Sequence, residues 1–293
     1  MENMENRNSE VVTVTETISV SEGTGMKQEK VTKEAWLVAA SILLGSLIVA
    51  GALITLGVKM ASISPVAAPA PTPTTAQQPT PNKVAVTLDQ VKALFTDKNL
   101  SFGNKNSKVL FVEFSDPSCP YCHVAAGKNP ELNKQIGSQF TMAVDGGSYV
   151  PPVPEMKKMV DAGKAAFVWI YANGHGSGEM GTRALYCAKE QGKFWQVHDQ
   201  LMSSAGYALI NGDLKNDKAK SGVLADFLKD VAKAGDMKSC LESGRYDSRI
   251  TDDMAMAKQF GFNGTPSFFV GTDNFGGAYN FKDMQATVDK YLK

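Results

Sequence analysis

The sequence has no excess of either charge, because 30 lysine and arginine residues are balanced by 30 aspartate and glutamate residues. Nothing in this balance favours a nucleic-acid partner, which would call for a basic surface. Histidine and cysteine are scarce, with three and four residues. Zinc bound by Cys119 and Cys122 would need two further ligands. The sequence has neither a second Cys-x-x-Cys motif nor a pair of histidines at a metal-binding spacing. We therefore predict no metal site, the only further candidate ligands being Cys187, Cys240, His175 and His198.

One long stretch lacks charge altogether. Residues 36–58 are apolar or small over a length that can cross a bilayer. Lys27, Lys30 and Lys33 precede this stretch and a lone Lys59 follows it, which favours a cytoplasmic N-terminus. An ordinary secretory signal peptide would not follow 35 other residues. We predict a single-pass signal anchor in the cell membrane, with a buried core helix as the alternative.

The anchor divides the chain into regions of different composition. Residues 1–35 are polar and predict a disordered cytoplasmic tail. Residues 59–83 form a Pro/Ala-rich linker with a reach of up to about 70 Å. Residues 84–293 have the length of one domain around a single core. This domain would lie outside the cytoplasm, where an even number of cysteines is expected to form disulfides.

The stretch VLFVEFSDPSCPYCH, residues 109–123, organises the domain. Its apolar beginning predicts a buried central strand, and Asp116-Pro117-Ser118 offers helix-capping residues. Cys119 should then begin a helix with Pro120 in the first turn, where the free backbone N–H groups favour a thiolate. Cys122 follows one helical turn later, within disulfide reach. The pattern predicts a redox-active pair, with Cys119 as the exposed nucleophile and Cys122 as the buried resolving thiol.

The rest of the domain predicts an α/β fold with a helical insertion at about 178–258. Two further apolar runs, 165–171 and 267–270, predict strands, and Gly276-Gly277 is expected to turn the second into a hairpin. Helical patterns lie between and after these strands, at 180–190, 194–203, 223–234, 245–260 and 281–292.

Three segments together resemble the DsbA-like thiol:disulfide oxidoreductases. They are SDPSCPYC after an apolar strand, LYCAKEQGKFWQVHDQLM in the middle and FGFNGTPSFFVG near the end. The resemblance covers about 100–293 and implies a thioredoxin fold with an inserted helical domain. It implies that Pro266 is cis after Thr265 and faces the Cys-x-x-Cys motif, where both residues bind substrate together with Pro120 and Tyr121. Residues 139–163 depart from the family pattern, because they make the segment between the Cys-x-x-Cys helix and the next strand longer than usual.

The resemblance also implies an activity. The domain would be an extracytoplasmic dithiol oxidase for exported proteins with free thiols, with the Cys119–Cys122 disulfide in place of a separate cofactor. A quinone-linked membrane partner of the DsbB or VKOR type would reoxidise it. Glu113, in the central strand, matches the buried acid that moves protons to and from the resolving cysteine. Some family members carry a second disulfide where Cys187 and Cys240 lie.

Several alternatives compete with these predictions. A reductase or isomerase has the same fold, and a binding module would have lost turnover. CPYCH also matches the c-type haem attachment pattern, although His123 is more simply a solvent-facing helix residue. Three site predictions have alternatives of their own. Glu113 could point into solvent instead of being buried, and the bond before Pro266 could be trans. Cys187 and Cys240 could be free buried thiols instead of a disulfide. An unusually acidic Cys119 would indicate catalysis, whereas haem incorporation would give colour.

Overall fold

A computed structural model describes residues 85–293. The predicted tail, anchor and linker at 1–35, 36–58 and 59–83 lie outside the described residues. The described part contains a five-stranded sheet of order β1-β3-β2-β4-β5. Its strands are β1 Leu100–Phe102, β2 Val109–Ser115, β3 Ala165–Tyr171, β4 Ser267–Val270 and β5 Asp273–Gly276.

Eleven α-helices surround the sheet in the described part of the chain. In chain order they are α1 Leu88–Ala93, α2 Pro120–Ala126, α3 Pro130–Ile136, α4 Pro152–Asp161, α5 Glu179–Glu190, α6 Phe194–Leu201, α7 Ser204–Ala208, α8 Ser221–Phe227, α9 Ala234–Ser243, α10 Asp247–Gln259 and α11 Phe281–Leu292. A π-helical turn, Leu209–Leu214, follows α7. Helices α5 to α10 form the block between β3 and β4. None of the helices in residues 85–293 combines the length and apolarity that a membrane crossing requires.

The two central strands explain the sequence pattern that predicted them. β2 and β3 run parallel, and all seven residues of each are buried. Burial on both faces selects apolar residues at every position rather than at alternate ones. β2 also pairs with β4 in antiparallel register, placing Glu113 opposite Phe268. The C-terminal end of β2, where the Cys-x-x-Cys motif begins, therefore lies at the centre of the sheet.

The alternation of side chains along the central strands divides the core into two layers. Leu110, Val112 and Phe114 point to one face, where they pack with residues of α1 and α10. Val109 and Phe111 point to the other face, where the core includes α2 and most of the helical block. Glu113 and Ser115 share this second face by the same alternation. The motif helix α2 thus lies directly over these two polar residues.

The structure corrects two local predictions, the β4–β5 turn and the helix at 223–234, and it also shows where the motif helix ends. The β4–β5 turn lies at Gly271, whose φ of 57° favours glycine. Gly276 is instead the last residue of β5, and Gly277 follows the hairpin. The helix predicted at 223–234 ends at Phe227, and α9 begins separately at Ala234. The motif helix ends at Ala126, because Gly127 provides a left-handed C-cap.

Candidate active site

The Cys-x-x-Cys motif begins α2 at the end of the central strand. Cys119 is the N-cap residue, with extended backbone, and Pro120 follows in the first turn. Both cysteines are free thiols, so this is the reduced form of the motif. Cys122 is fully buried, whereas Cys119 is 5% exposed. Cys119 is more covered than predicted, because the backbone carbonyl of Thr265 lies 3.4 Å from its sulfur.

The two sulfur atoms differ strongly in acidity. The hydrogen bond from the Cys122 thiol lowers the pKa of Cys119 to about 6, although burial opposes the change. The backbone N–H groups of Tyr121 and Cys122 stabilise the thiolate further. Burial, together with the neighbouring Cys119, raises the pKa of Cys122 well above its ordinary value. Near neutral pH the pair is therefore a thiolate at Cys119 beside a protonated thiol at Cys122.

Asp116 was predicted to cap the motif helix, but its carboxylate binds other groups. One carboxylate oxygen accepts hydrogen bonds from the Ser118 backbone N–H at 2.8 Å and the Ser118 hydroxyl at 2.7 Å. The other accepts from the backbone N–H groups of Gly174 at 2.9 Å and His175 at 2.8 Å. These donors belong to the loop after β3, so Asp116 ties the loop before Cys119 to its neighbour. Four donors on one buried carboxylate hold the approach to Cys119 in place.

His123 is buried, although the sequence predicted a solvent-facing residue. Its Nδ1 lies 2.9 Å from the carbonyl of Met202, and its Nε2 lies 2.8 Å from the carbonyl of Pro117. Burial lowers the pKa of His123 to about 4 against the effect of both carbonyls, so a neutral ring donates to one of them at a time. Its ring also packs edge-on against Tyr207. His123 connects the motif to the helical block.

The Thr265-Pro266 peptide bond is cis, as the resemblance implied. It borders an open groove of about 330 Å³ beside the motif, lined by Tyr121, Phe140, Thr265, Gly276, Gly277, Ala278 and Tyr279. Tyr121 is 44% exposed and Tyr279 is 41% exposed, so two aromatic side chains present apolar surface there. Phe140 packs against Tyr121 with ring centroids 5.9 Å apart. The unusual segment 139–163 thus contributes a wall of the groove.

Glu113 lies inside the sheet rather than at its edge. The residue is 1% exposed, and burial raises the pKa of its carboxyl group to about 7, partly offset by His198 and Ser115. Neither carboxyl oxygen has a hydrogen-bond partner among the described residues. The alternative of a solvent-facing Glu113 is therefore wrong. A carboxyl group with this pKa can exchange a proton near neutral pH.

Cys187 and Cys240 form a disulfide between α5 and α9. This bond removes both sulfur atoms from the list of candidate zinc ligands. In residues 85–293 no three side chains of His, Cys, Asp or Glu gather into a metal-binding group. Both nitrogens of His123 face backbone carbonyls, so the ring is not presented as a haem ligand. The structure leaves the dithiol as the reactive feature of the motif.

Comparisons with known proteins agree with this geometry. Residues 154–290 match the family model described as Thioredoxin. Disulfide bond formation protein D of Bacillus subtilis is 22% identical over 199 residues, covering 65% of this chain and 76% of that protein. A crystal structure of a variant of Wolbachia pipientis α-DsbA1 covers 71% of this chain and 96% of that one, with a TM-score of 0.51 and 15% identity. The fold of residues 85–293 is thus similar to that of α-DsbA1, and their sequence is similar to that of a disulfide bond formation protein.

Some relatives of this chain are much longer proteins. The Na(+)/H(+) antiporter NhaA 3 of Salinispora tropica is 26% identical over 204 residues, which cover 69% of this chain. The chain spans only about a quarter of that antiporter, 26% of its length. The similarity therefore concerns the domain and not the whole relative.

Proposed function

We propose that the Cys119–Cys122 pair is a dithiol oxidase that introduces disulfides into exported proteins. The proposal rests on the difference in acidity between the two cysteines. A pKa of about 6 leaves roughly nine tenths of Cys119 ionised at pH 7. A stabilised thiolate favours the reduced form of the motif, which makes the disulfide form a better oxidant.

The reaction transfers two electrons from a substrate dithiol to the motif. A substrate thiolate attacks the sulfur of Cys119 in the disulfide form, and Cys122 leaves as a thiolate. Glu113 gives its proton to Cys122. A second substrate thiolate then attacks the substrate sulfur of the mixed disulfide, and Cys119 leaves as a thiolate. The substrate gains a disulfide, and the motif becomes the dithiol seen in the structure.

The groove beside Cys119 supports a peptide substrate. The exposed aromatic rings of Tyr121 and Tyr279 and the wall formed by Phe140 offer apolar contacts. The cis Thr265-Pro266 bond places the Thr265 backbone beside the reactive sulfur. We assign Pro120, Tyr121, Thr265 and Pro266 to substrate binding.

A trapping experiment tests the roles of the two cysteines. With Cys122→Ala whose Cys119 is first converted to a mixed disulfide with a small aromatic thiol, a substrate thiolate should displace that thiol. The resulting substrate mixed disulfide at Cys119 should accumulate, because Cys122 is no longer present to release it. Non-reducing electrophoresis and mass spectrometry of the purified adducts would show it. A complex that forms only with Cys119→Ala would reverse the assignment. A reduction potential as low as about −270 mV would instead favour a reductase or isomerase.

We further propose that residues 36–58 anchor the domain in the cell membrane, with the N-terminus in the cytoplasm. The uncharged stretch and the lysines before it support this topology. The linker at 59–83 would let Cys119 reach a quinone-linked membrane partner of the DsbB or VKOR type for reoxidation. Residues 36–58 would then be the part of the protein that contacts the lipid bilayer.

Labelling of intact cells tests this topology. A membrane-impermeant maleimide should modify Cys119 in the Cys122→Ala variant without lysis, because the domain would face outward. The matched control is Ser9→Cys combined with Cys119→Ala and Cys122→Ala, whose tail thiol should react only after lysis. Cys119 that reacts only after lysis would refute the extracytoplasmic assignment.

A further inference from the structure

Asp116 contacts both cysteines of the motif through its backbone. Its carbonyl oxygen accepts a hydrogen bond from the Cys119 N–H at 2.9 Å, which closes a turn over Asp116-Pro117-Ser118-Cys119. Its own N–H donates to the sulfur of Cys122 at 3.4 Å. The turn determines where the chain enters α2. It therefore also determines where the Cys119 sulfur lies relative to the first N–H groups of that helix.

The side chain of Asp116 joins this turn to the loop after β3. One carboxylate oxygen binds the Ser118 N–H and hydroxyl within the turn, and the other binds the N–H groups of Gly174 and His175 in the loop. The Ser118 hydroxyl also accepts a hydrogen bond from the Ser177 N–H at 3.2 Å. Asp116 and Ser118 are completely buried. The turn that carries Cys119 is therefore fastened to a second segment at two places.

The loop after β3 is packed closely on both sides of this contact. A Cβ atom on Gly178 would overlap the Asp116 carboxylate, and a Cβ atom on Gly174 would overlap the hydroxyl of Thr265. Thr265 in turn places its carbonyl oxygen 3.4 Å from the Cys119 sulfur. The two glycines thus let the loop fill the space between the Asp116 side chain and the cis-proline segment. Because it is packed on both sides, the loop is a firm support for the carboxylate.

We propose that Asp116 is a positioning residue that holds the Cys119 sulfur at the N-terminus of α2. This inference rests on the proposed redox function of the Cys119–Cys122 pair, which depends on a stable Cys119 thiolate. Cys119 is the N-cap residue of α2, and the N–H groups of Tyr121 and Cys122 reach its sulfur in this geometry. A turn released from the loop would let Cys119 leave the N-cap position. The thiolate would then lose the donors of the helix N-terminus.

The charge of Asp116 and its positioning role have opposite effects on Cys119. A negative charge near a thiol disfavours the thiolate, so removal of the charge alone would lower the pKa of Cys119. Loss of the helix N–H groups would instead raise that pKa toward its ordinary value of about 8.5. The sign of the change therefore distinguishes a residue that positions Cys119 from one that only adds charge nearby.

The titratable groups around Cys119 and its turn are Cys122 and His123 on α2, Tyr207 on α7 and Glu113 on β2. Burial and the neighbouring Cys119 raise the pKa of Cys122 well above its ordinary value. Burial lowers the pKa of His123 to about 4 and raises the pKa of Tyr207. Burial raises the pKa of Glu113 to about 7, but a carboxyl group gives no thiolate absorbance. A thiolate signal near pH 6 therefore reports Cys119.

The thiolate titration of the reduced full chain tests the inference. Ultraviolet absorbance of the thiolate is followed against pH, and Cys119→Ala identifies the signal. We expect a midpoint near pH 6 in the unmodified protein. Asp116→Asn should raise this midpoint by about one pH unit, because an amide has a single oxygen and its NH₂ group would face backbone donors at one end of the bridge. A midpoint that stays the same or falls would overturn the proposal.

Ser118→Ala tests the same bridge without a change of charge. It removes one donor to Asp116 and the acceptor of the Ser177 N–H, so the midpoint should rise by a smaller amount. The matched control is Ser177→Ala, which keeps that backbone N–H. A second control, Glu179→Gln, removes an anion at the start of α5 that pairs with Arg183. Neither control should raise the midpoint.

The second variant also protects the test against a failure to fold. An unchanged midpoint in Ser118→Ala would contradict the proposal even if Asp116→Asn did not fold. The titration needs neither a substrate nor a redox partner. Failure of the oxidase proposal would therefore leave the effect of Asp116 on Cys119 interpretable.

Discussion

Replacing Asp253 by alanine should lower the free energy of unfolding by about 3–5 kcal/mol. Asp253 lies on α10 and is completely buried. One oxygen accepts from the Tyr186 hydroxyl at 2.7 Å and the Tyr171 backbone N–H at 3.2 Å. The other accepts from Arg249 at 2.6 Å. Alanine would leave all three donors without this acceptor in the protein interior.

Stability would be lost because the three donors to Asp253 would have no acceptor, and not because the ion pair itself is strongly stabilising. Burial raises the pKa of Asp253 even though Tyr186 and Arg249 favour the anion, so desolvation outweighs the pairing. A buried ion pair replaced as a whole by apolar side chains often keeps its stability. Asp253→Leu combined with Arg249→Met and Tyr186→Phe should therefore recover most of the loss.

The neighbouring residue supplies the control for this prediction. Asp252 also approaches Arg249, at 3.5 Å, but its side chain is 61% exposed. Asp252→Ala should change the stability by less than about 1 kcal/mol. Urea unfolding monitored by circular dichroism measures all of these variants. A loss below about 1 kcal/mol for Asp253→Ala would contradict the argument.

The position of this network matters for the active site. Asp253 holds the last residue of β3 through the Tyr171 backbone N–H. The next residues form the loop whose amides at Gly174 and His175 bind Asp116. The chain of contacts therefore runs from the helical block through the end of β3 to the residues before Cys119. Asp253→Ala should also loosen this approach to the motif.

The sequence predicted the features that depend on local pattern. The apolar runs of β2 and β3 identify doubly covered strands, and the Cys-x-x-Cys spacing identifies the reactive pair. The family resemblance added the cis bond before Pro266 and the pairing of Cys187 with Cys240. These features are visible because the residue type at each position is required by a contact within a few residues or by a motif.

The remaining features depend on contacts between distant segments. Asp116 looks like a helix cap until the loop after β3 brings Gly174 and His175 to its other oxygen. His123 looks solvent-facing because the helical block that buries it follows about eighty residues later, at Met202. Gly276-Gly277 was predicted to form the β4–β5 turn, and the structure places this turn at Gly271, where the backbone is left-handed. The sequence analysis also overlooked Ser115, a buried polar residue that ends an apolar strand.

Removing the Cys187–Cys240 bridge should cost about 4 kcal/mol in the chain-entropy model, which does not include any loss of contact between the helices it joins. The bridge links α5 and α9 across a sequence separation of 53 residues. Cys187→Ala combined with Cys240→Ala tests this in urea unfolding. The matched double variant of the reduced protein, Cys119→Ala with Cys122→Ala, removes two free thiols and no cross-link, so it should lose none of this chain-entropy contribution.

The same bridge should survive conditions that reduce the active-site pair. Cys187 is 1% exposed and Cys240 is 2% exposed, so a small thiol reaches neither sulfur without local unfolding. Buried structural bridges also typically have potentials below about −300 mV. After gentle reduction and alkylation, non-reducing peptide mapping should find Cys119 and Cys122 alkylated and Cys187 still joined to Cys240. Equal alkylation of all four residues would mean that the second bridge is redox-active and that α5 and α9 are held together by packing alone.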